Sequence, residues 1–238
     1  MIPTTTKKGR PSQADLDANL DRLEAEAKED FKRAEELMKR DPKLPLISAY
    51  VIARDLRSAD RSMEWLREGK YDWKTAEVFT GSYGRMDLRV RAHAEGLITN
   101  EQVLDGLTHA WSGSDPDDTD PRFLALWRDA WVANGRKPLR DGKGLPRDQW
   151  LHVYRGQDEV TTVGRTPLDP SAFGIAWSLD PMVAKKFANG AATREHSRGG
   201  VVYVARVHRS DVMGYMVGRN EAEVIVDPTM LHDVEVWR

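Results

Sequence analysis

The sequence predicts an α+β fold, with helices in the first part of the chain and mostly strands in the second. Up to about residue 135, apolar residues recur every three or four positions, which is the spacing of amphipathic helices. After a stretch rich in glycine, proline and charge (NGRKPLRDGKGLPRD), they come in short runs typical of strands. We therefore expect a helical region, residues 1–145, and a sheet region, residues 146–238. Because the sheet region is short for an independent domain, the helices should pack on the sheet and complete its core.

Two long helices are expected at the start of the helical region. The first, opened by a capping pattern at Ser12, has an apolar stripe with charged residues between its members and ends at Asp41-Pro42. The second covers about residues 46–68, where Gly69 stops it. Together they form a helical hairpin.

Shorter helices should follow over residues 72–110, among them DWKTAEVF and TNEQVLDGLTHAW, where Thr99 and Gln102 have the spacing of a capping box. A polar, turn-rich loop at 112–121 precedes another amphipathic helix. In that helix Trp127 and Trp131 lie one turn apart. They could form a stacking platform for a base or sugar, but a core-facing stripe is the favoured interpretation.

Strands are predicted for the apolar runs of the sheet region, and only PMVAKKFA (181–188) interrupts them with a helical pattern. The predicted strands are WLHVYRG (150–156), FGIAWSL (173–179), GVVYVARV (200–207), EAEVIV (221–226) and DVEVW (233–237).

The composition excludes several classes of site. The chain has 238 residues, of which 40% are hydrophobic and 31% charged, and it has no cysteine, which rules out disulfides and thiolate metal sites. The six histidines lack metal-ligand spacing, so we predict no metal. A net charge of −2 argues against a nucleic-acid partner. Without a membrane-length apolar run or signal-peptide pattern, we expect a cytoplasmic protein that does not bind membranes.

Two carboxylates stand close together near the C-terminus, in GRNEAEVIV (218–226). If this run is a strand, its period of two puts Glu221 and Glu223 on one face and the apolar residues on the other. Taken alone, this alternation is what any half-buried strand shows.

Two further blocks precede this pair in the sheet region. VYRG brings Arg155 to the end of a predicted strand, and GIAWSLDPMVAKKFA brings Ser178 to a strand end before a helix. The ordered blocks resemble the arginine–serine–glutamate signature of the mono-ADP-ribosyltransferases related to cholera toxin and the clostridial binary toxins. Phage and actinobacterial proteins with similar blocks and a helical N-terminal part are closer still. The resemblance covers about residues 150–230.

The resemblance implies a split, mainly antiparallel β-sandwich that binds NAD as substrate in the cleft between its sheets. The chain would transfer ADP-ribose to a protein acceptor, as a toxin, a phage effector or a regulator. Glu223 would stabilise the oxocarbenium-like charge that develops when the nicotinamide–ribose bond breaks. Glu221 would hold the acceptor, and a carboxylate there favours arginine because it can grip a guanidinium with two hydrogen bonds.

Other residues acquire roles by the same resemblance. Arg155 would bind the pyrophosphate or ribose, unless it is an ordinary strand-end cation in a salt bridge. Gly156 would let the backbone approach the nicotinamide, or simply make a turn. Phe187 would form a wall for the nicotinamide ring, or belong to the core. Trp177 and Ser178 of the serine block would also contact the cofactor.

The serine block departs from the family pattern of Ser-Thr-Ser before Leu-Asp-Pro. Here it reads Ala176-Trp177-Ser178, so the first serine, which binds the catalytic glutamate in the family, is replaced by alanine. A register shifted by two would give Ser178 that role but would lose the Leu-Asp-Pro match. The turn at 214–220 is where such enzymes read their target, which makes Tyr215 and Arg219 exposed candidates for acceptor contact.

Three alternatives stay open on the sequence. The chain could be an NAD glycohydrolase that uses water as acceptor. It could be a weakly active or inactive module that binds NAD without turnover, as the alanine at position 176 suggests. The helical region could also be the working part, docking a partner while the sheet serves as its scaffold.

Overall fold

The computed structural model of the chain describes residues 13–42, 44–114, 116–140, 144–157, 173–190, 200–218 and 220–237. Its helices are α1 Gln13–Arg40, α2 Leu46–Arg67, α3 Trp73–Val78, α4 Ser82–Ala94, α5 Asn100–Leu104, α6 Leu107–Ser112, α7 Pro121–Ala133 and α8 Pro181–Ala188. Its strands are β1 Leu139–Arg140, β2 Trp150–Gln157, β3 Ala176–Ser178, β4 Val201–His208, β5 Val212–Met216, β6 Glu223–Val226 and β7 His232–Val236. The α+β class is therefore confirmed, with helices first.

Helix ends follow the predicted signals closely. The α1–α2 hairpin is present, and Gly69 just beyond α2 has a left-handed φ of 63°. The predicted capping box at α5 forms, because the Thr99 side chain accepts from the Gln102 backbone and the Gln102 side chain accepts from the Thr99 backbone. Polar backbone groups at these ends are satisfied locally, which fixes where each helix begins or stops.

The middle of the helical region follows the prediction in part. Helix α4 lies within residues 72–110, which were expected to form shorter helices, although its apolar residues alternate in MDLRVRAHA as they would in a strand and its buried face includes a charged residue, Arg89. The run TNEQVLDGLTHAW forms two helices rather than one. Gly106, at a left-handed φ of 86°, separates α5 from α6.

The described strands form one hydrogen-bonded sheet of order β1-β5-β6-β3-β2-β4-β7. All neighbours are antiparallel except β1 and β5. We expected two sheets, but the halves β1-β5-β6-β3 and β2-β4-β7 are joined by a single registered pair, Tyr154 and Ser178. The sheet is continuous and weakest between β2 and β3.

Two strands escaped prediction. Strand β1 has only two residues and lies on the helical side of the boundary expected at residue 145. Strand β5 occupies part of the run that we expected to be a turn, and it contains Gly214, which has a poor strand propensity. The glycine serves packing, since a Cβ there would lie 2.7 Å from the ring of Trp127.

The helices do pack on the sheet and complete its core, as predicted. One buried cluster joins α6 and α7 to strand residues such as Met213 and Ile225, and Trp127 is fully buried within it, which confirms the core-stripe interpretation. A second cluster, on the strands, contains Val153, Trp177 and Val224. None of the helices in the described part of the chain is long and apolar enough to cross a bilayer.

Candidate functional site

The strands of the three sequence blocks are neighbours in the sheet. Strand β3 lies between β2 and β6. Ser178 is paired on one side with Tyr154, the residue before Arg155, and on the other side with Glu223. Residues separated by more than sixty positions in the sequence thus meet in one row across the sheet. Directly opposite residues in antiparallel strands have Cβ atoms about 5 Å apart, so the Ser178 and Glu223 side chains are immediate neighbours.

The two glutamates do not share a strand. Strand β6 begins at Glu223, and Glu221 belongs to the turn before it. Asn220 and Ala222 have left-handed φ values of 57° and 44°. The strand-period argument that put both carboxylates on one face was therefore wrong, because a left-handed residue between them breaks the alternation. A non-glycine residue in this conformation costs about 1 kcal/mol or more and needs outside support.

Ser178 supplies part of that support. Its hydroxyl donates to the backbone oxygen of Glu221 at 2.5 Å and accepts from the backbone N–H of Asp180 at 3.0 Å. The N–H of Leu179 donates to the oxygen of Ala222 at 2.9 Å. The end of β3 therefore holds the turn that precedes Glu223, and Ser178, only 6% exposed, acts on the backbone of that turn.

The register also bears on the serine block. Ala176 is opposite Ile225, whereas Ser178 is opposite Glu223. In position along the sheet, Ser178 is thus the serine beside the glutamate. The sequence comparison favoured the unshifted register because of Leu-Asp-Pro, but sequence spacing does not set the pairing of strands.

Glu223 accepts a hydrogen bond that the sequence did not suggest. The indole Nε1 of Trp111, in α6, donates to its Oε1 at 2.9 Å, while the glutamate side chain remains half-buried. Trp111 is 2% exposed and packs edge-on against Phe123 and Trp127, with ring centroids 6.1 and 5.7 Å away. The helical region therefore contributes directly to the surroundings of Glu223.

Arg155 is held by an anion from the same part of the helical region. Its Nη1 lies 2.5 Å and its Nη2 3.0 Å from the two carboxylate oxygens of Asp118, and Nη1 also donates to the oxygen of Ala176 at 2.6 Å. The paired side chains are only 15% and 18% exposed. Arg155 thus fills the place where β2 and β3 diverge, as a partner of Asp118.

Asp118 is bound to β3 as well as to Arg155. Its carboxylate accepts from the N–H of Ala176 at 3.1 Å, and its backbone oxygen accepts from Ile175 at 3.1 Å. A Cβ on Gly174 would lie 2.3 Å from the same carboxylate. The part of the polar loop that contains Asp118 therefore packs tightly beside β3. No local pattern in the sequence predicted this contact.

Two predicted cofactor contacts have other surroundings, and the third, Phe187, stays a prediction. A Cβ on Gly156 would lie 1.9 Å from the oxygen of Ala184, so this glycine permits the close approach of α8. Trp177 is 2% exposed in the strand cluster, and its Nε1 donates to Gly174, which leaves it no surface for a dinucleotide. Phe187 is half-buried on α8.

The two acceptor-contact candidates fare differently. Tyr215 is a half-buried residue of β5, paired with Val224 and packed against the strand cluster, so it is not the exposed turn residue that we expected. Arg219 lies outside the described residues.

The far end of β6 has a third polar link to the helices. Arg128 of α7 donates from Nε to the carboxylate of Asp227 at 2.9 Å, and the N–H of Thr229 donates to the same side chain at 3.0 Å. Burial raises the pKa of Asp227, but these hydrogen bonds and the arginine charge outweigh it and hold the pKa below its usual value. On β4, opposite Arg155, burial raises the pKa of the Tyr203 hydroxyl.

No cluster of three metal-ligating side chains occurs among the described residues. A cavity of about 340 Å³ lies between α8, β4 and β7, and none of Arg155, Ser178 and Glu223 lines it. Comparison of the chain with family models, with curated proteins and with solved structures gave no match.

Proposed function

We propose that the chain is an NAD-dependent mono-ADP-ribosyltransferase with a split ADP-ribosyltransferase-type sheet, which transfers ADP-ribose to a protein acceptor and releases nicotinamide. The main support is the adjacency of β2, β3 and β6, which sets Ser178 opposite Glu223 on one side and opposite Tyr154, the residue before Arg155, on the other. The narrow join between β2 and β3 supports a cleft at that point.

In the proposed reaction, the bond between the ribose C1′ and the nicotinamide nitrogen breaks, and its electron pair leaves with neutral nicotinamide. Positive charge then develops on the ribose. The carboxylate of Glu223 stabilises that charge, as carboxylates do in glycoside cleavage. Half-burial suits this role, because electrostatic stabilisation is stronger where less water competes.

The acceptor completes the exchange by forming a new bond to C1′. Glu221, in the turn ahead of β6, is the residue that would hold an arginine side chain and take its proton as the guanidinium nitrogen attacks. The turn is held by Ser178, so this hydroxyl positions Glu221 through its backbone rather than by touching the substrate.

Arg155 is the residue that would bind the pyrophosphate. Since its guanidinium is already paired with Asp118, a phosphate must replace that carboxylate, and the exchange is between two anions. The closed pair favours one second candidate function, NAD binding with little turnover, in which the dinucleotide binds without the Arg155 contact and its ribose is not correctly seated against Glu223.

The proposal is tested by incubating the full chain with NAD and bacterial lysate, measuring nicotinamide release and ADP-ribosylated peptides. We expect Glu223→Ala to lower release by roughly 100-fold or more, since it removes the group that stabilises the developing charge. Glu235→Ala, an exposed carboxylate on β7, is the matched control and should keep full release. Equal release from wild type and Glu223→Ala would overturn the proposal, and NAD binding without release would favour the second candidate.

A further inference from the structure

The hydrogen bond from Trp111 to Glu223 joins the helical region to the carboxylate at the centre of the proposed reaction. We propose that Trp111 is a positioning residue for Glu223, an inference that rests on the proposed function. Its indole N–H fixes the orientation of the carboxylate, while Trp111 itself does not contact the substrate.

The indole is rigidly placed. Trp111 is 2% exposed, and its ring is held edge-on by Phe123 and Trp127. The direction of the indole is set by the start of α6, where the left-handed Gly106 precedes the helix. Leu107, Ala110 and Trp111 then lie on its buried face. A donor that has already lost its freedom of movement can orient an acceptor at little further entropic cost.

Two neighbouring residues of β3 do not provide this hydrogen bond. Ala176, which replaces the serine of the family pattern, has no side-chain donor and faces Ile225 instead of Glu223. The Ser178 hydroxyl already donates to the backbone of Glu221. Trp111 is therefore a donor that reaches the Glu223 carboxylate from outside the three sequence blocks, which is why the signature alone did not reveal it.

Hydrogen bonds to a charged group contribute about 1.5–3 kcal/mol, which corresponds to roughly 10- to 100-fold in a rate that depends on the group's orientation. We expect Trp111→Phe, which keeps an aromatic ring but removes the N–H, to lower kcat for nicotinamide release by that factor. KM for NAD should change by less than about threefold, because the lost interaction acts on the carboxylate that serves the transition state.

Trp131→Phe is the matched control. Trp131 is half-buried against the same cluster, and its Nε1 has no hydrogen-bond partner among the described residues. Its replacement removes the same atoms and should lower the melting temperature by no more than Trp111→Phe does, but kcat should stay within about threefold of wild type. Equal kcat losses in both variants would mean that packing alone matters and would overturn the inference.

A second measurement does not need activity. In proton–nitrogen NMR spectra of the wild-type chain, the indole resonance of Trp111 should shift clearly on Glu223→Ala, whereas that of Trp65, on α2, should not. An unmoved Trp111 resonance would overturn the contact even if Trp111→Phe failed to fold. Wild type that releases no nicotinamide would instead overturn the proposed function, whereas an active wild type with an equally active Trp111→Phe would overturn only the positioning role.

Discussion

The two ends of the candidate site are tied to the same short segment, residues 111–118, in opposite ways. At the glutamate end, the neutral N–H of Trp111 donates to a half-buried carboxylate and adds no charge there. At the arginine end, the carboxylate of Asp118 forms an ion pair with the guanidinium of Arg155. Under the proposed function, the first contact would orient its partner toward a positively charged ribose, whereas the second would occupy the cation that a phosphate needs.

Trp111 would therefore support the proposed reaction at Glu223, whereas Asp118 would compete with the substrate at Arg155. A neutral donor and a cationic transition state can act on Glu223 at the same time. Asp118 and a pyrophosphate compete for the same guanidinium face. Under the proposed function, the glutamate end is ready for substrate and the arginine end must open, so substitutions at the two ends should give different kinetic signatures.

The largest effect expected at the glutamate end concerns the acceptor. Glu221→Ala should abolish most transfer to protein, by roughly 100-fold, because the acceptor loses the carboxylate that orients it and takes its proton. Nicotinamide release should persist, with water replacing the arginine, since Glu223 and Trp111 are unchanged.

Labelled NAD distinguishes the two products, because label in protein reports transfer and free ADP-ribose reports hydrolysis. Glu235→Ala again serves as the control. Wild type that produces only free ADP-ribose would identify an NAD glycohydrolase, and a Glu221→Ala variant that still labels protein would remove Glu221 from acceptor recognition.

Much of the fold followed from local patterns. The helical hairpin, the Thr99 capping box and the strands around Arg155, Ser178 and Glu223 lie where apolar spacing and turn residues predicted them. Such features depend on residues that are close together in the sequence, so they can be predicted from the sequence alone. Helix α4 lies in the span 72–110 that was expected to form shorter helices, but its own bounds could not be predicted, because its apolar residues alternate as they would in a strand.

The contacts of the site could not be predicted in the same way. Trp111 is 112 residues from Glu223, and Asp118 is 37 residues from Arg155. Each contact depends on how the helices pack on the sheet, and an aspartate in a polar loop gives no sign that it will enter the gap beside β3. The left-handed φ of Ala222 could not be predicted either, because the hydrogen bond that supports it comes from Leu179 at the distant end of β3.

At the arginine end, Asp118→Asn should separate affinity from stability. The amide keeps the shape of the side chain but loses the charge that holds Arg155, so Kd for NAD should fall by roughly 10-fold as competition disappears. The melting temperature should fall too, because breaking a mostly buried pair costs about 3 kcal/mol, less where some water reaches it.

The control for this prediction is Asp117→Asn, an exposed neighbour in the same loop. Calorimetric titration with NAD and thermal unfolding measure the two effects on each variant. Weaker NAD binding in Asp118→Asn would mean that Asp118 orients Arg155 for the substrate and does not compete with it.

The smallest effect is expected at the opposite end of β6, where Arg128 and Asp227 form a polar link that is not part of the site. The arginine is 48% exposed, so solvent weakens the pair, and Asp227→Asn should cost only about 0.5 kcal/mol near neutral pH while leaving nicotinamide release unchanged.

Because the folded pKa of Asp227 is lowered, its contribution to stability is present above the ordinary aspartate pKa and is lost as pH falls through the lowered value. Melting temperatures of the variant and wild type should therefore differ near pH 7 and converge in acid. A gap that widens in acid would contradict this sign, and a loss of nicotinamide release would show that the far end of β6 also controls the position of Glu223.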